Sequence, residues 1–269
     1  MYLPSGQSRL GKSMKIDALV LAGGKVEGFD IENRPPIKAL LDLDGRPMIE
    51  YVLEALSNSE NVGQIVVLTP MKMEDESWAA LADNIIYIDD IITANITKGL
   101  DNLGPDGKFL LISSDIPLLT TKIIDDFISD TLVIDAEVYY PIVTKKAVEA
   151  RFPKSKRTYF SLKDGTYTGG NIFLIDKIAF RKNKERAEQI FANRKRPLKM
   201  VGLIGISNII KFLLKRMTIE GLEAKASSIL ACKARAIVTD HAEVGVDIDK
   251  QEDLDMFKQK MAAERELFR

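Results

Sequence analysis

The sequence predicts an α/β fold: a mainly parallel central sheet flanked by helices. Three observations predict it. First, short continuous apolar runs recur, IDALVL, IVVLT and FLLIS among them, as expected for strands buried on both faces of a parallel sheet. Second, helical stretches separate these runs through about the first 145 residues, and such alternation defines a parallel sheet with crossover helices. Third, the runs end in polar loops carrying glycine or aspartate, at the strand ends where open α/β sheets bind ligands.

In order, Ile16–Leu21 reads as a buried strand ending in AGG. The following AGGKVEGFDIENRPPIK is rich in glycine, proline and charge and reads as a long functional loop. Residues 38–43 suggest a second short strand, closed by the turn DGRP. Pro47 suits the first position of a helix running to about Leu56. Strands are expected at 65–69, 85–88, 109–113 and 136–143, and helices at 76–82, 94–103 and 121–129. The acidic run 74–76 marks a helix start.

The rhythm then changes. Residues 145–165 are basic and turn-rich, with a strand at 158–162. A strand at 170–175 precedes a mostly helical stretch, 177–217, interrupted at Pro197. A last strand, 234–239, and a charged helix, 250–268, finish the chain. The expected organisation is an N-terminal tail, 1–13, and one domain, 14–269, in which about 145–230 elaborates the sheet and covers a site.

Residues 6–13, GQSRLGKS, match the P-loop pattern G-x-x-x-x-G-K-[ST]. That loop needs a strand before it and a helix starting at its Lys-Ser. Only MYLPS precedes the match, and the MKIDALVLAGG that follows has strand character. The match is therefore read as part of a polar tail, with Met14 a candidate natural start.

Composition narrows the function. With 46% hydrophobic and 29% charged residues, the chain has globular values. A net charge of -1 argues against a broad nucleic-acid-binding face. One cysteine, Cys232, excludes an intramolecular disulfide and any CxxC metal site, and its apolar context suggests an inert buried thiol. No apolar run approaches the ~18 residues that span a membrane. A cytoplasmic protein is expected; oligomeric state is not readable.

Three segments fall at strand ends. In the first, Gly23 and Gly24 allow backbone amides to approach a phosphate closely, and Lys38 can place a charge on the same phosphates. In the second, SSDIPLL, Asp115 follows a buried strand; its carboxylate can serve a Mg²⁺ ion or cap the next turn. In the third, VGVDIDKQEDL, Asp247 and Asp249 share a face if extended. Asp249 with Glu252 also fits a helix capping box, a role compatible with metal binding. His241 reads as a turn residue. The basic runs 145–163 and 193–199 read as solvated surface or as recognition of an anionic acceptor.

Taken together, LVLAGGK…PPIKALLDLDGRPMIEYVLEAL, then SSDIPLL, then GVDIDKQEDL resemble the MobA-like NTP transferases. The resemblance spans Met14 to about Phe257. It implies a GT-A-like (Rossmann-like) nucleotidyltransferase fold and transfer of an NMP from an NTP to an anionic, phosphorylated acceptor, with release of pyrophosphate and Mg²⁺ (or Mn²⁺) as cofactor. The partners implied are an NTP and a small anionic acceptor. By the same resemblance Leu21, Ala22, Gly23, Gly24, Arg34, Lys38, Thr93 and Asn95 hold the nucleotide. Lys38 and Asp115 are the implied catalytic residues. Asp115 and Asp249, with Asp247 as the near alternative, hold the metal, and Gly170 and Asn171 contact the acceptor. The loop from Gly24 to Lys38 is longer than the family's compact G-x-R-M loop, and Lys250-Gln251 stands where Thr-Pro is common; these departures leave the NTP open. Two other readings are a catalytically degenerate nucleotide-binding regulatory protein and a GT-A-type glycosyltransferase, which releases a nucleoside diphosphate.

Overall fold

The computed structural model describes residues 15–31, 35–73, 76–193 and 211–267. The P-loop match, Arg34, Glu74, Asp75, Pro197 and nearly all of the basic run 193–199 lie outside them.

Apolar residues of alternating direction build the sheet from its centre. Strand β1 (Ile16–Leu21) lies between β4 (Val62–Thr69) and β6 (Lys108–Ser113), parallel to both. On β1 and β6, Ala18, Val20, Leu110 and Ile112 point into one apolar layer, while Leu19, Phe109 and Leu111 point into the other. That period of two, apolar on both faces, is why these strands read as continuous hydrophobic runs. Strand β5 (Asn84–Tyr87) adds to β4 in parallel. On the other flank β10 (Ile172–Asp176) runs antiparallel to β6, and β7 (Val138–Thr144) antiparallel to β10. Strand β9 (Gly165–Gly169), hairpin-paired to β8 (Phe160–Leu162), joins β7 beyond β10, while β11 (Ala234–Thr239) pairs with β7 in parallel. The sheet is thus mixed but mainly parallel at its core. Its order is β5-β4-β1-β6-β10-β7-β9-β8, with β11 on β7.

Helices cover both faces. On α1 (Met48–Ser57), Met48, Ile49, Val52, Leu53 and Leu56 form a buried stripe, the spacing of a helix with one face on a core. Helix α3 (Thr121–Leu132) starts at Thr120, whose hydroxyl accepts the Ile123 amide. The chain also forms α2 (Ile92–Leu100), α4 (Lys145–Arg151), α5 (Lys177–Lys182), α6 (Lys184–Asn193), α7 (Ile219–Leu230) and α8 (Gln251–Leu267).

Several expectations are corrected. The stretch read as a strand from Lys38 is a 3-10 turn, Lys38–Leu40. Only Asp42–Leu43 (β2) is extended, in a small hairpin with Arg46–Pro47 (β3). The Lys38 amide donates to the Gly24 carbonyl at 2.8 Å, and that bond turns the chain before a longer strand can form. Asp44 and Gly45 both have positive φ, 61° and 81°, as a two-residue type I′ turn requires. Pro47 caps α1 rather than opening it, and 76–82 holds a 3-10 turn, Ser77–Leu81. The helices α4 and α7 and the strand β9 arise where the sequence suggested no such element. At the head of α8 it is Asp253, not Glu252, whose carboxylate accepts the Asp249 amide, at 3.2 Å; Glu252 pairs with Lys250 instead.

Candidate functional site

The chain leaves β1 toward β4 on one side and returns to β6 on the other, so the strand order reverses between β1 and β6. A cleft opens at the carboxyl ends of strands at such a switch point. Leu21 and Ala22 end β1 there: Ala22 donates to the Leu68 carbonyl and the Leu21 carbonyl accepts the Ser114 amide. Gly24 lies tight against Lys38, where an added Cβ would meet Lys38 Cβ and Cε at 3.2 Å. Gly23 is exposed, and a Cβ there would touch only Ile88 Cδ1, at 3.7 Å. The long loop is anchored rather than loose. Phe29 is buried, and the Asp30 amide donates to Gln251 Oε1 at 3.0 Å.

Lys38 is the hub. Its buried ammonium lies 2.5 Å from Asp115 Oδ2 and 2.8 Å from Asp249 Oδ1, joining residues 211 positions apart. Burial works against the lysine's charge, but Asp115 and then Asp249 outweigh it and raise its pKa. The loop before α8 is pinned beside β6, because the Ile248 amide donates to the Asp115 carbonyl at 3.0 Å. This bond delivers Asp247 and Asp249 to Asp115. Carboxylate oxygens of the three lie within 4.8 Å of one another.

The three carboxylates differ. Asp115 is buried, and its Oδ1 has no hydrogen-bond partner among the described residues. Burial, then the Asp115 charge, pushes the Asp247 carboxyl up to about 6 against the pull of Arg157. Burial also opposes ionisation of Asp249, but its bond to Lys38 holds it below the usual carboxylate range. The guanidinium of Arg157 grips Asp247 through both its side chain and its carbonyl and reaches Asp253 at 3.4 Å. Arg157 belongs to this cluster and was missed by sequence reasoning. It sits in the basic run 145–163, and nothing in that run separates it from Lys154 or Lys156.

An all-oxygen cluster of this kind suits a hard cation such as Mg²⁺ or Mn²⁺. The residues fit such an ion, because the buried, unpartnered Asp115 Oδ1 is a free acceptor in a group of three carboxylates.

Other expected residues are placed as follows. Thr93 and Asn95 are buried at the entrance of α2. The Asn95 side-chain Nδ2 donates to the Asp90 carbonyl at 2.6 Å and its Oδ1 accepts the Asp90 backbone amide at 3.3 Å, and neither bond reaches the lysine–carboxylate cluster. Gly170 and Asn171 precede β10. Asn171 donates twice to the Val244 carbonyl, and its own carbonyl accepts the Ser113 amide at 3.1 Å, two residues before Asp115. An added Cβ on Gly170 would collide with Pro141 and Val244, each at 2.6 Å. His241 lies 2.9 Å from Asp126, apart from the cluster. Cys232 is half-buried rather than buried, and burial, with the charges of Glu137 and Asp176, pushes its thiol up to about 11. Among the described residues no helix is long and apolar enough to cross a membrane.

An open α/β sheet with a basic hub and clustered carboxylates at its switch point defines a nucleotide-handling transferase of GT-A-like architecture. Comparison with known proteins makes the class specific. Residues 18–175 match the family model described as the MobA-like NTP transferase domain. The chain belongs to this family and is a nucleotidyltransferase, for which the family implies an NTP substrate. A hypothetical transferase from Thermus thermophilus shares 39% identity, with TM-score 0.80, over 90% of this chain and all of that one (100%). Two more distant structures share the fold. One is 4-diphosphocytidyl-2C-methyl-D-erythritol synthase from Anaerococcus prevotii, with 11% identity and TM-score 0.56 over 93% of this chain and 100% of that chain. The other is a CMP:2-keto-3-deoxy-manno-octonic acid synthetase complexed with CTP, with 15% identity and TM-score 0.57 over 94% and 100%. No curated protein matches the chain.

Proposed function

We propose that the protein transfers a nucleoside monophosphate from an NTP to an anionic, phosphorylated acceptor, releasing pyrophosphate, with Mg²⁺ (or Mn²⁺) as cofactor. One observation carries this reading: Lys38 joins Asp115 and Asp249 at the sheet's switch point, with Asp247 beside them. In this reading an acceptor oxygen attacks the α-phosphorus, and the bond from phosphorus to the bridging oxygen breaks as pyrophosphate leaves. Catalysis is then mostly positioning and charge stabilisation.

The Gly23 and Gly24 amides line the nucleotide side. Gly23 has room for a side chain within the protein's own packing, so its smallness is left for a ligand's approach. Lys38 turns its ammonium from the carboxylates toward the phosphates and neutralises charge that builds on the leaving group. Asp115, Asp249 and Asp247 would hold the divalent ion, which when bound supplies positive charge to the phosphate oxygens. Arg157 keeps Asp247 oriented. An acceptor phosphate is already an anion and needs no protein base; His241 is engaged with Asp126. Residues 14–269 act as one unit in this reading, with 145–230 on the acceptor side, Gly170 and Asn171 included, and the reaction belongs to the cytoplasm.

The test is a pyrophosphate-release assay with each of the four NTPs, with and without Mg²⁺, across a panel of anionic acceptors. Turnover should need the cation and one preferred NTP. Release that persists in Asp115→Ala, or release of a nucleoside diphosphate from a nucleotide sugar instead, would overturn it.

A further inference from the structure

A slot of about 590 Å³ lies between the sheet and the helices α6 and α7, within the range of ligand pockets, roughly 300–1,000 Å³. Phe173 on β10, Phe180 on α5, Ile190 on α6, and Leu222, Ala226 and Ile229 on α7 are among its walls. Three features single it out. First, α7 presents apolar residues at helical spacing to this space, yet none of its residues is fully buried, whereas α1 buries six. An apolar stripe of that kind normally packs on a core; here Leu222 packs against a small cluster that includes Met217 and Ala236, while Ala226, Ile229 and Leu230 line the cavity. Second, polar groups gather at one end, where Ser113, Gly170 and Asn171 form a rim with Leu21. That rim belongs to the candidate site, since Ser113 bonds Asn171 and lies two residues before Asp115, and Leu21 opens the glycine loop. Third, Tyr140 is among the slot's walls, and its buried hydroxyl has no hydrogen-bond partner among the described residues. A buried donor without a partner is costly, and this one lies in a wall of the slot.

We propose that the slot receives the hydrocarbon part of the acceptor. The acceptor is an amphiphile, with a phosphate head at the Ser113–Asn171 rim beside Asp115 and an apolar tail running down between β10 and α7. A nucleobase or a bare sugar would leave its polar edges unpaired against these walls, so a hydrocarbon chain is the chemistry that fits. The position of the head rests on the nucleotidyl-transfer reading; occupancy of the slot does not.

The test uses the full chain and two readouts. In the absence of nucleotide, calorimetry compares butyl, octyl and dodecyl phosphate, below their micellar concentrations. Affinity should climb with chain length, by up to about fourfold for each buried methylene. Ala226→Trp and Ile229→Gln should each lower dodecyl phosphate affinity at least tenfold. Both should keep the wild-type thermal shift with NTP and Mg²⁺, which shows that the fold and the nucleotide side are intact. Affinity that is flat with chain length, or unchanged in both variants, overturns the proposal, including the case in which the chain's own residues fill the slot. Dodecanol binding as tightly as dodecyl phosphate overturns the phosphate head. The second readout is pyrophosphate release with the same phosphates. Transfer to all of them irrespective of length sinks the slot while leaving the reaction standing. Length-dependent binding without transfer from any NTP supports the slot and removes the reaction.

Discussion

Two flanks of one sheet are built by opposite rules. The rim over β1 and β6 is crowded with charge, each group held by another from far along the chain. Lys38 ties Asp115 to Asp249, and Arg157 ties Asp247 to Asp253. The flank over β10 and β7 is apolar and open, with α7 bonded to β11 through Ser227 and Glu223 yet burying none of its own residues. Buried charges cost several kcal/mol each unless paired in good geometry, so a rim of this kind is retained for chemistry rather than stability. The open flank forgoes packing that α1 achieves, which is what the proposed occupant of the slot requires. On the two proposals above, ions specify position on one side and an apolar wall specifies shape on the other.

The largest effect should fall on the charged rim. Asp115→Asn keeps the shape but removes a central carboxylate. Pyrophosphate release should drop by about a hundredfold to a thousandfold with little change in melting temperature; a loss under tenfold would break the contrast at its strongest point. Next, Lys38→Met leaves Asp115 buried without its cation. Thermal unfolding without divalent ions should show a loss of about 3 kcal/mol. Added Mg²⁺ should then raise the melting temperature more in the variant than in the parent, because the cation replaces the missing charge. Equal responses to Mg²⁺ would mean that these carboxylates do not share an ion. Arg157→Met should cost about 2 kcal/mol, since it breaks charge-assisted bonds to Asp247 and Asp253. It should also raise the Mg²⁺ concentration needed for half-maximal release, which a merely structural residue would not. The smallest effect separates the flanks by packing alone. Ala226→Trp, facing the slot, should change stability by about 0.5 kcal/mol or less. Ala18→Leu, fully buried on β1, should cost about 1–3 kcal/mol. Similar costs at the two positions would show that the slot is not open.

Legibility in the sequence followed the strength of the local signal. β1 and β6 were readable because each is a short, unbroken apolar run, and burial on both faces leaves that trace. The pieces of the candidate site were readable one at a time, as a glycine pair, a lysine and three aspartates at strand ends, and the lysine and aspartates do come together. The 3-10 turn at Lys38–Leu40 was misread because its composition is apolar like a strand's, while the bond from Lys38 to Gly24 that bends it is not local. Helix α7 was missed because its apolar residues, Leu222, Ala226, Ile229 and Leu230, are few and none is fully buried, so they leave a weak periodic trace. Arg157 was hidden among chemically similar neighbours, and only its contact with residues 90 positions away distinguishes it.

By itself the order of residues determined the α/β alternation, the central strands and the identity of the acids and the lysine, because period, propensity and turn chemistry act over a few neighbours. Only the tertiary structure decided that Lys38 sits between Asp115 and Asp249, that Arg157 holds Asp247, and that an apolar hollow opens beside them. Those are meetings of segments separated by up to 211 residues, set by strand order and by the backbone bond from Ile248 to Asp115, and no local pattern encodes such distances.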